Sequence, residues 1–249
     1  MIREERYRAI LSLLDKNGTV QVSELAEQFN VTEMTIRRDL QALEDEGLLV
    51  RVHGGAKKKD DPYKELSNIQ KETLNVEEKK HISQICADLI EDHDTVFISS
   101  GTTGEFILDY IQNKPIMLVT NSISVFQKAV KLPNVETLLT GGRYRKKTGT
   151  LIGYFANKLL SEIKINKAFV GTNGISGEDI TTANEEEGHS LQIILNNSTE
   201  RYIIADHTKF SVRAFFTFYH VKDVHAIITD PKINKHVESY YGELTKIIK

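Results

Sequence analysis

Apolar positions near the start of the chain recur three and four apart. Tyr7, Ile10, Leu11 and Leu14 share one helical face, which predicts a helix over 3–16 that stops at DKNG, where Gly18 suits the left-handed residue after a helix. TVQV (19–22) then alternates like a short strand, and Ser23 stands as a candidate N-cap for ELAEQF. After a turn at NV, Thr32 is a second candidate cap, and Ile36, Leu40 and Leu43 mark the inner stripe of a third helix ending near Gly47. LLVRVHGGA reads as a strand closed by a tight turn. Two helices joined by a tight turn, the second carrying Thr35, Arg37 and Arg38 off its buried stripe, make a helix-turn-helix, and the two strand signals add a wing.

Beyond residue 76 the pattern changes. A helical stripe (Ile82, Ile85, Cys86, Leu89, Ile90) leads to short apolar runs at 95–99, 116–120, 135–140, 167–172, 201–206, 225–230 and 245–249. Helical periodicity fills most of the gaps, at EFILDYI, SVFQKAV, GYFANKLLSEI and EGHSLQIILNN. Strands alternating with helices predict an α/β domain built on a mainly parallel sheet covered on both faces. Three units follow: a winged helix-turn-helix at 1–58, a charged, Pro62-containing connector at 59–75, and an α/β domain at 76–249.

Composition narrows the class. The 249 residues are 40% hydrophobic and 27% charged, a balance of folded globular protein. Cys86 is the single cysteine, so an internal disulfide and zinc sites built on paired cysteines are excluded, and a reducing compartment is expected. No apolar run approaches the roughly 20 residues that span a bilayer, which predicts a cytoplasmic chain without a membrane partner. A net charge of -3 argues against wholesale coating of nucleic acid, yet residues 51–59 hold four cations and no acid.

The second helix of a helix-turn-helix fits the major groove, with side chains of its N-terminal half nearest the base edges. Arg37 and Arg38 are therefore candidates for guanine or phosphate, and the spacing does not say which does which. Arg51, His53 and the lysines at 57–59 would lie along the flanking phosphates. An Arg-Arg pair is also a common solvated face, and Asp39, Glu44, Asp45 and Glu46 repel phosphate unless they face away. In parallel sheets ligands bind beyond the carboxyl ends of the strands, and polar residues gather there: SSGTTG (99–104), TNS (120–122), TGGR (140–143), GTNG (171–174) and DHTKF (206–210). Hydroxyls, amides, a helix start and two cations, Arg143 and Lys209, suit a phosphorylated small molecule. A tight turn with a cap is the plain alternative, and the sequence is neither a P-loop nor a dinucleotide fingerprint.

The stretch LAEQFNVTEMTIRRDLQALEDEGLLVRVHGGA closely resembles the N-terminal signature of the DeoR family of bacterial transcriptional regulators, and SSGTTGEFILDYI, VTNS, LLTGG, VGTNGI and DHTKF resemble its effector domain. The resemblance implies DNA contacts at Thr32, Thr35, Arg37 and Arg38, joined by Arg51, His53, Lys57 and Lys58 of the wing. It implies a domain similar in fold to ribose-5-phosphate isomerase and glucosamine-6-phosphate deaminase, with Ser100, Gly101, Thr102, Thr103 and Gly104 at a phosphate. Asn121, Gly142, Arg143 and Asn173 would lie near the sugar, and Lys209 would supply a polar or charged contact. The acidic segment 185–187 stays unassigned. The implied protein is a repressor of a sugar-utilisation operon that binds operator DNA as a homodimer or homotetramer and is released by a phosphorylated sugar. It has no catalytic residues, cofactor or metal. The rival is a sugar-phosphate isomerase or deaminase with a DNA-binding appendage, using Asp206, Glu185 or Lys209 for proton transfer.

Overall fold

The computed structural model describes residues 2–58, 65–111 and 114–249, the side chains of residues 15, 16 and 58 excepted. The chain divides into two compact units, residues 1–61 and 62–249.

In the first unit α1 (Arg3–Asn17) ends at Gly18, whose φ of 77° lets its amide reach the Leu14 carbonyl. β1 (Thr19–Gln21) passes directly into α2 (Val22–Phe29), so Val22 closes no strand and Ser23 caps nothing. The reason is burial and backbone pairing: Val22 packs with Leu25, Ala26 and Phe29, and its amide donates to the Gly54 carbonyl at 2.9 Å. α2 stops at Asn30, left-handed at φ 52°. Thr32 caps α3 (Glu33–Asp45) by accepting from the Thr35 amide at 3.3 Å. Ile10, Leu14, Leu25, Ile36, Leu40, Leu43 and Leu49 close one core beneath the helices. β2 (Leu49–Val52) and β3 (Gly55–Lys58) complete an antiparallel sheet of order β1-β3-β2, the wing. A Cβ on Gly55 would stand 2.0 Å from the Val20 carbonyl oxygen, so the two strands close only over glycine.

The second unit opens with α4 (Asn68–Glu72) and α5 (Val76–Leu89), then β4 (Thr95–Ile98), α6 (Thr102–Ile107), β5 (Ile116–Thr120), α7 (Ile123–Ala129) and β6 (Val135–Leu139). A hairpin of β7 (Arg143–Arg145) and β8 (Thr150–Ile152) leads to α8 (Tyr154–Glu162), β9 (Ile165–Gly171), β10 (Gly174–Ser176), β11 (Asp179–Thr182) and α9 (Glu185–Asn196). β12 (Ser198–Ile204), β13 (Phe216–His220), β14 (Ala226–Ile228), α10 (Lys235–Gly242) and β15 (Lys246–Ile248) follow. Seven of the described strands form a sheet of order β15-β14-β12-β9-β4-β5-β6, with every pairing parallel. Successive residues of a strand face opposite layers. On β4, Val96 and Ile98 pack with Ile82 and Cys86 of α5, while Phe97 packs with Leu160 of α8 and Ile194 of α9.

The parallel sheet and its seven predicted strands are present, with β9 and β12 starting two and three residues earlier than their apolar runs. The hairpin β7–β8 and the small antiparallel sheet β10-β11-β13 had no counterpart in the periodicity, because RYR, TLI, GIS, DITT and FTFYH are short and mix polar with apolar residues instead of forming apolar runs. Of EFILDYI only residues 105–107 are helical, at the end of a helix that already starts at Thr102, and the chain turns from Leu108 on. Among the described residues no helix is long and apolar enough to cross a membrane.

Candidate functional site

Two surfaces carry the candidate residues, one in each unit. On α3, Ile36, Leu40 and Leu43 are buried, which turns Arg37 and Arg38 to solvent. Arg37 pairs with Glu33 one turn earlier at 3.0 Å, both side chains half exposed, a contact easily exchanged for a phosphate. The hydroxyls of Thr32 and Thr35 meet at 3.0 Å at the helix start. Met34 stands beside them, 59% exposed, and sequence reasoning passed over it because an apolar side chain reads as core.

The acids of this helix are accounted for. Asp39 is only 4% exposed and accepts from Arg6 Nε at 2.7 Å and Nη2 at 3.2 Å, a two-bond clamp between α1 and α3. Asp45 accepts from Gln41 at 2.9 Å, and Glu44 from the Arg51 amide at 2.8 Å. Arg51 also donates to the Gln41 side chain, so β2 of the wing is tied to the C-terminal half of α3. His53 is exposed at the turn between β2 and β3, and Lys57 is partly exposed on β3. The side chain of Lys58 and all of Lys59 lie outside the described residues.

In the larger unit a cavity of about 290 Å³ opens at the carboxyl ends of the central strands. Its walls come from residues 99–104 after β4, Asn121 after β5, residues 171–173 at the end of β9, and Ala205, Asp206, Thr208 and Lys209 after β12. Between β4 and β9 the chain reverses its direction of travel across the sheet, the switch point at which open α/β sheets hold ligands. The loops are knitted together: the Ser100 amide donates to Asn121 Oδ1 at 3.1 Å, and the Gly171 amide to Ser99 Oγ at 2.9 Å. Asn173 Oδ1 accepts from Thr182 Oγ1 and from the Ala183 amide. Ser100, Gly101, Thr102, Thr103, Gly104, Asn121, Asn173 and Lys209 thus share one void.

Gly142 and Arg143 do not join them, because β6 is the edge of the sheet and lies two strands from β4. Arg143 is exposed and pairs with Glu186. Gly142 sits at φ 123°, where a Cβ would stand 2.5 Å from the Ile152 carbonyl oxygen, so its glycine serves the close approach of β8. Within the acidic segment, Glu185 and Glu186 face solvent and Glu187 lines the cavity.

Several lining residues stand where sequence reasoning saw only a connector: Glu65, Asn68, Lys71, Asn75 and, on α5, Lys79. A signal for Lys79 existed, since it falls three and seven residues before Ile82 and Cys86, a cation on an apolar stripe. Burial lowers the amines of both Lys71 and Lys79 below the ordinary lysine value, and Lys209 adds to the lowering in each. Glu65 bonds Arg145 at 3.0 and 2.5 Å. Burial alone would raise its carboxyl, but the Arg145 bonds and charge hold it below the usual range. Burial does raise Glu187, which accepts from Thr148 and from Arg145 Nη1 at 3.2 Å.

Residues 6–61 match the family model of the DeoR-like helix-turn-helix domain, and residues 74–231 that of the DeoR C terminal sensor domain. The chain belongs to the DeoR family. Among its curated DeoR relatives is the lactose phosphotransferase system repressor of Streptococcus mutans, 35% identical over 249 residues, 96% of this chain and 99% of that protein. Its namesakes in Staphylococcus epidermidis (35% over 246 residues; 96% and 98%) and Staphylococcus aureus (33% over 242 residues; 96% and 96%) are comparable. Among solved structures, ribose 5-phosphate isomerase A from Methanocaldococcus jannaschii aligns over 53% of each chain at 13% identity and TM-score 0.40. The eIF2B beta structure from Chaetomium thermophilum aligns over 68% of this chain and 54% of that one, at 12% identity and TM-score 0.47.

Proposed function

We propose that this DeoR family chain is a transcriptional repressor of a sugar-utilisation operon, relieved when a phosphorylated sugar enters the cavity of the larger unit. The curated relatives that match nearly end to end are named lactose phosphotransferase system repressors, which supports the operon class. The observation that carries the ligand class is the cavity itself: Lys71, Lys79 and Lys209 line it together with the Ser100–Gly104 amides and hydroxyls, Asn121, Asn173 and the acids Glu65, Glu187 and Asp206. That is the chemistry of a dianion attached to a polyhydroxy chain. Residues 1–58 read the operator through Thr32, Thr35, Arg37 and Arg38, with Arg51, His53, Lys57 and Lys58 along the phosphates, and residues 76–249 hold the effector together with Glu65, Asn68, Lys71 and Asn75 of the connecting segment 59–75. Gly142 and Arg143 are not part of that effector site. A two-fold operator requires at least a dimer, in the cytoplasm where operators are.

The same geometry speaks for a regulator over an isomerase or deaminase. Glu185 is exposed outside the cavity, and Asp206 Oδ1 already accepts from the Thr208 amide and hydroxyl and from Asn75. A thermal-shift panel of pentose and hexose phosphates beside the free sugars tests the ligand class. At least one phosphate is expected to raise the melting temperature and weaken a gel shift of the chain's own promoter DNA, with no turnover of the sugar. Stabilisation by free sugars alone would defeat the phosphate reading. Arg37→Ala and Arg38→Ala are each expected to weaken the gel shift by about tenfold or more, since a bidentate base contact is worth about 1–3 kcal/mol. Unchanged affinity in both would remove α3 as the reading helix.

A further inference from the structure

Residues 65–75 run as a strap across one side of the cavity, and they contribute Glu65, Asn68, Lys71 and Asn75 to its lining. The strap is held by polar contacts. Glu65 pairs with Arg145, the Asn68 amide donates to the Lys147 carbonyl at 3.2 Å, and Asn68 Nδ2 donates to the Thr148 carbonyl at 2.6 Å. Lys79 Nζ donates to the Lys71 carbonyl, and Asn75 Nδ2 to Asp206 at 3.3 Å. None of the five residues of α4 is buried, and its one large apolar side chain, Ile69, is 78% exposed. Leu66 is half-buried and Leu74 is 46% exposed, both against the cavity, so none of the strap's apolar side chains is fully buried and the segment opens at low free-energy cost.

Into the cavity this strap brings an amine that has no hydrogen bond among the described residues, that of Lys71. Lys79 and Lys209 line the same void. The carboxylates nearby are engaged elsewhere: Glu65 with Arg145 and Lys147, Glu187 with Arg145 and Thr148, Asp206 with Thr208 and Asn75. Lys71 and Lys79 both sense the Lys209 charge, and Lys71 that of Lys79, a repulsion only partly offset by Glu65 and Glu187 near Lys71 and Asp206 near Lys79, since burial and the neighbouring amines still lower both lysines. An anion between these amines relieves the repulsion and so favours the closed strap.

Resting on the sugar-phosphate reading of this cavity, we propose that Lys71 is a charge-reading ligand contact through which a phosphate dianion, shared with Lys79 and Lys209, draws the strap onto the larger unit. The dianion binds the closed strap more tightly than the open one, and that difference is the coupling free energy available for regulation. The strap directly follows, in sequence, the segment leaving the DNA-reading unit, so the ligand acts on the connector itself. Lys71 also makes the site selective for charge: a free sugar leaves its amine unneutralised and the strap unheld.

Hydrogen exchange of the full-length chain, with inorganic phosphate as the probe, tests this beside calorimetric phosphate affinity. In the wild type, saturating phosphate is expected to slow amide exchange over 65–75 about tenfold. Lys71→Met should weaken phosphate by about tenfold and abolish that slowing even at saturation, whereas Lys71→Arg retains both. Lys209→Met should weaken binding yet still slow the strap once saturated. Equal phosphate affinity, or equal strap protection, in Lys71→Met and wild type overturns the role of Lys71 while leaving the anion site standing. Phosphate that neither binds nor stabilises the wild type overturns both readings.

Discussion

A carboxyl inside a cavity lined with cations answers to two opposed forces, and Glu187 shows which one wins. Burial raises it above the ordinary 4.5, although Thr148 donates to it and Arg145 lies 3.2 Å away. A carboxyl with a raised folded-state pKa gives its full stabilisation below about pH 4.5 and loses it as pH climbs through the raised value. Glu187→Gln keeps the shape and the acceptor for Thr148 but does not ionise. Its melting temperature relative to wild type is therefore expected to improve from acid to neutral pH, by about 1 kcal/mol of stability. A difference independent of pH would mean that Glu187 titrates alike in the folded and unfolded chain, with no raising by burial. At this scale the sequence was legible where a residue's role is local: Thr32 caps as its spacing requires, and the Ser100–Gly104 loop lines the cavity. It was illegible for Lys71, whose charge among other charges looked like solvated surface until the fold enclosed it, while Lys79 left only the faint signal of a cation on the apolar stripe of α5.

Between elements, the contact with the largest reach in the smaller unit is the Arg6–Asp39 clamp. Asp39 sits within the TIRRDL run, and as a free acid it would repel DNA, but its carboxylate is buried against a guanidinium carried by α1. The pair fixes the angle at which α3 is presented while removing a negative charge from its outer face. Asp39→Ala strands the Arg6 charge and is expected to cost about 2 kcal/mol by thermal or urea unfolding. The double variant Arg6→Met/Asp39→Met should recover much of that stability, and a double variant no more stable than Asp39→Ala would show that packing rather than charge explains the loss. Helices were readable because their periods extend over several turns, and the strands of the parallel sheet because each carries an apolar run, such as TVFI, IMLVT or AII. β7, β8 and β10 run for three residues each, and their pairing is decided by partners far along the chain.

At the scale of the molecule, two units with separate apolar cores predict two unfolding events. Calorimetry with inorganic phosphate at about a hundredfold over its Kd should stabilise the larger unit's transition by about 2.7 kcal/mol and leave the smaller unit's in place. One transition moving as a whole would show that the units melt together. Strand order was the part of the fold the sequence left open, since nothing local in TGGR reveals that it follows an edge strand while SSGTTG follows a central one. Order in the sheet decides which loops meet, which is why Lys209 reached the cavity and Arg143 did not. Leu191, Ile204 and Ala205 of the cavity wall belong to the apolar layers, but its polar part stands on loops and helix ends outside them, such as residues 99–101, Asn121, Thr172, Asn173, Thr208 and Lys209. Substitutions there can change which sugar fits without disturbing a single core residue, so the same scaffold offers itself for retargeting as a designed metabolite sensor, with selection confined to a few loop positions and the promoter readout kept intact.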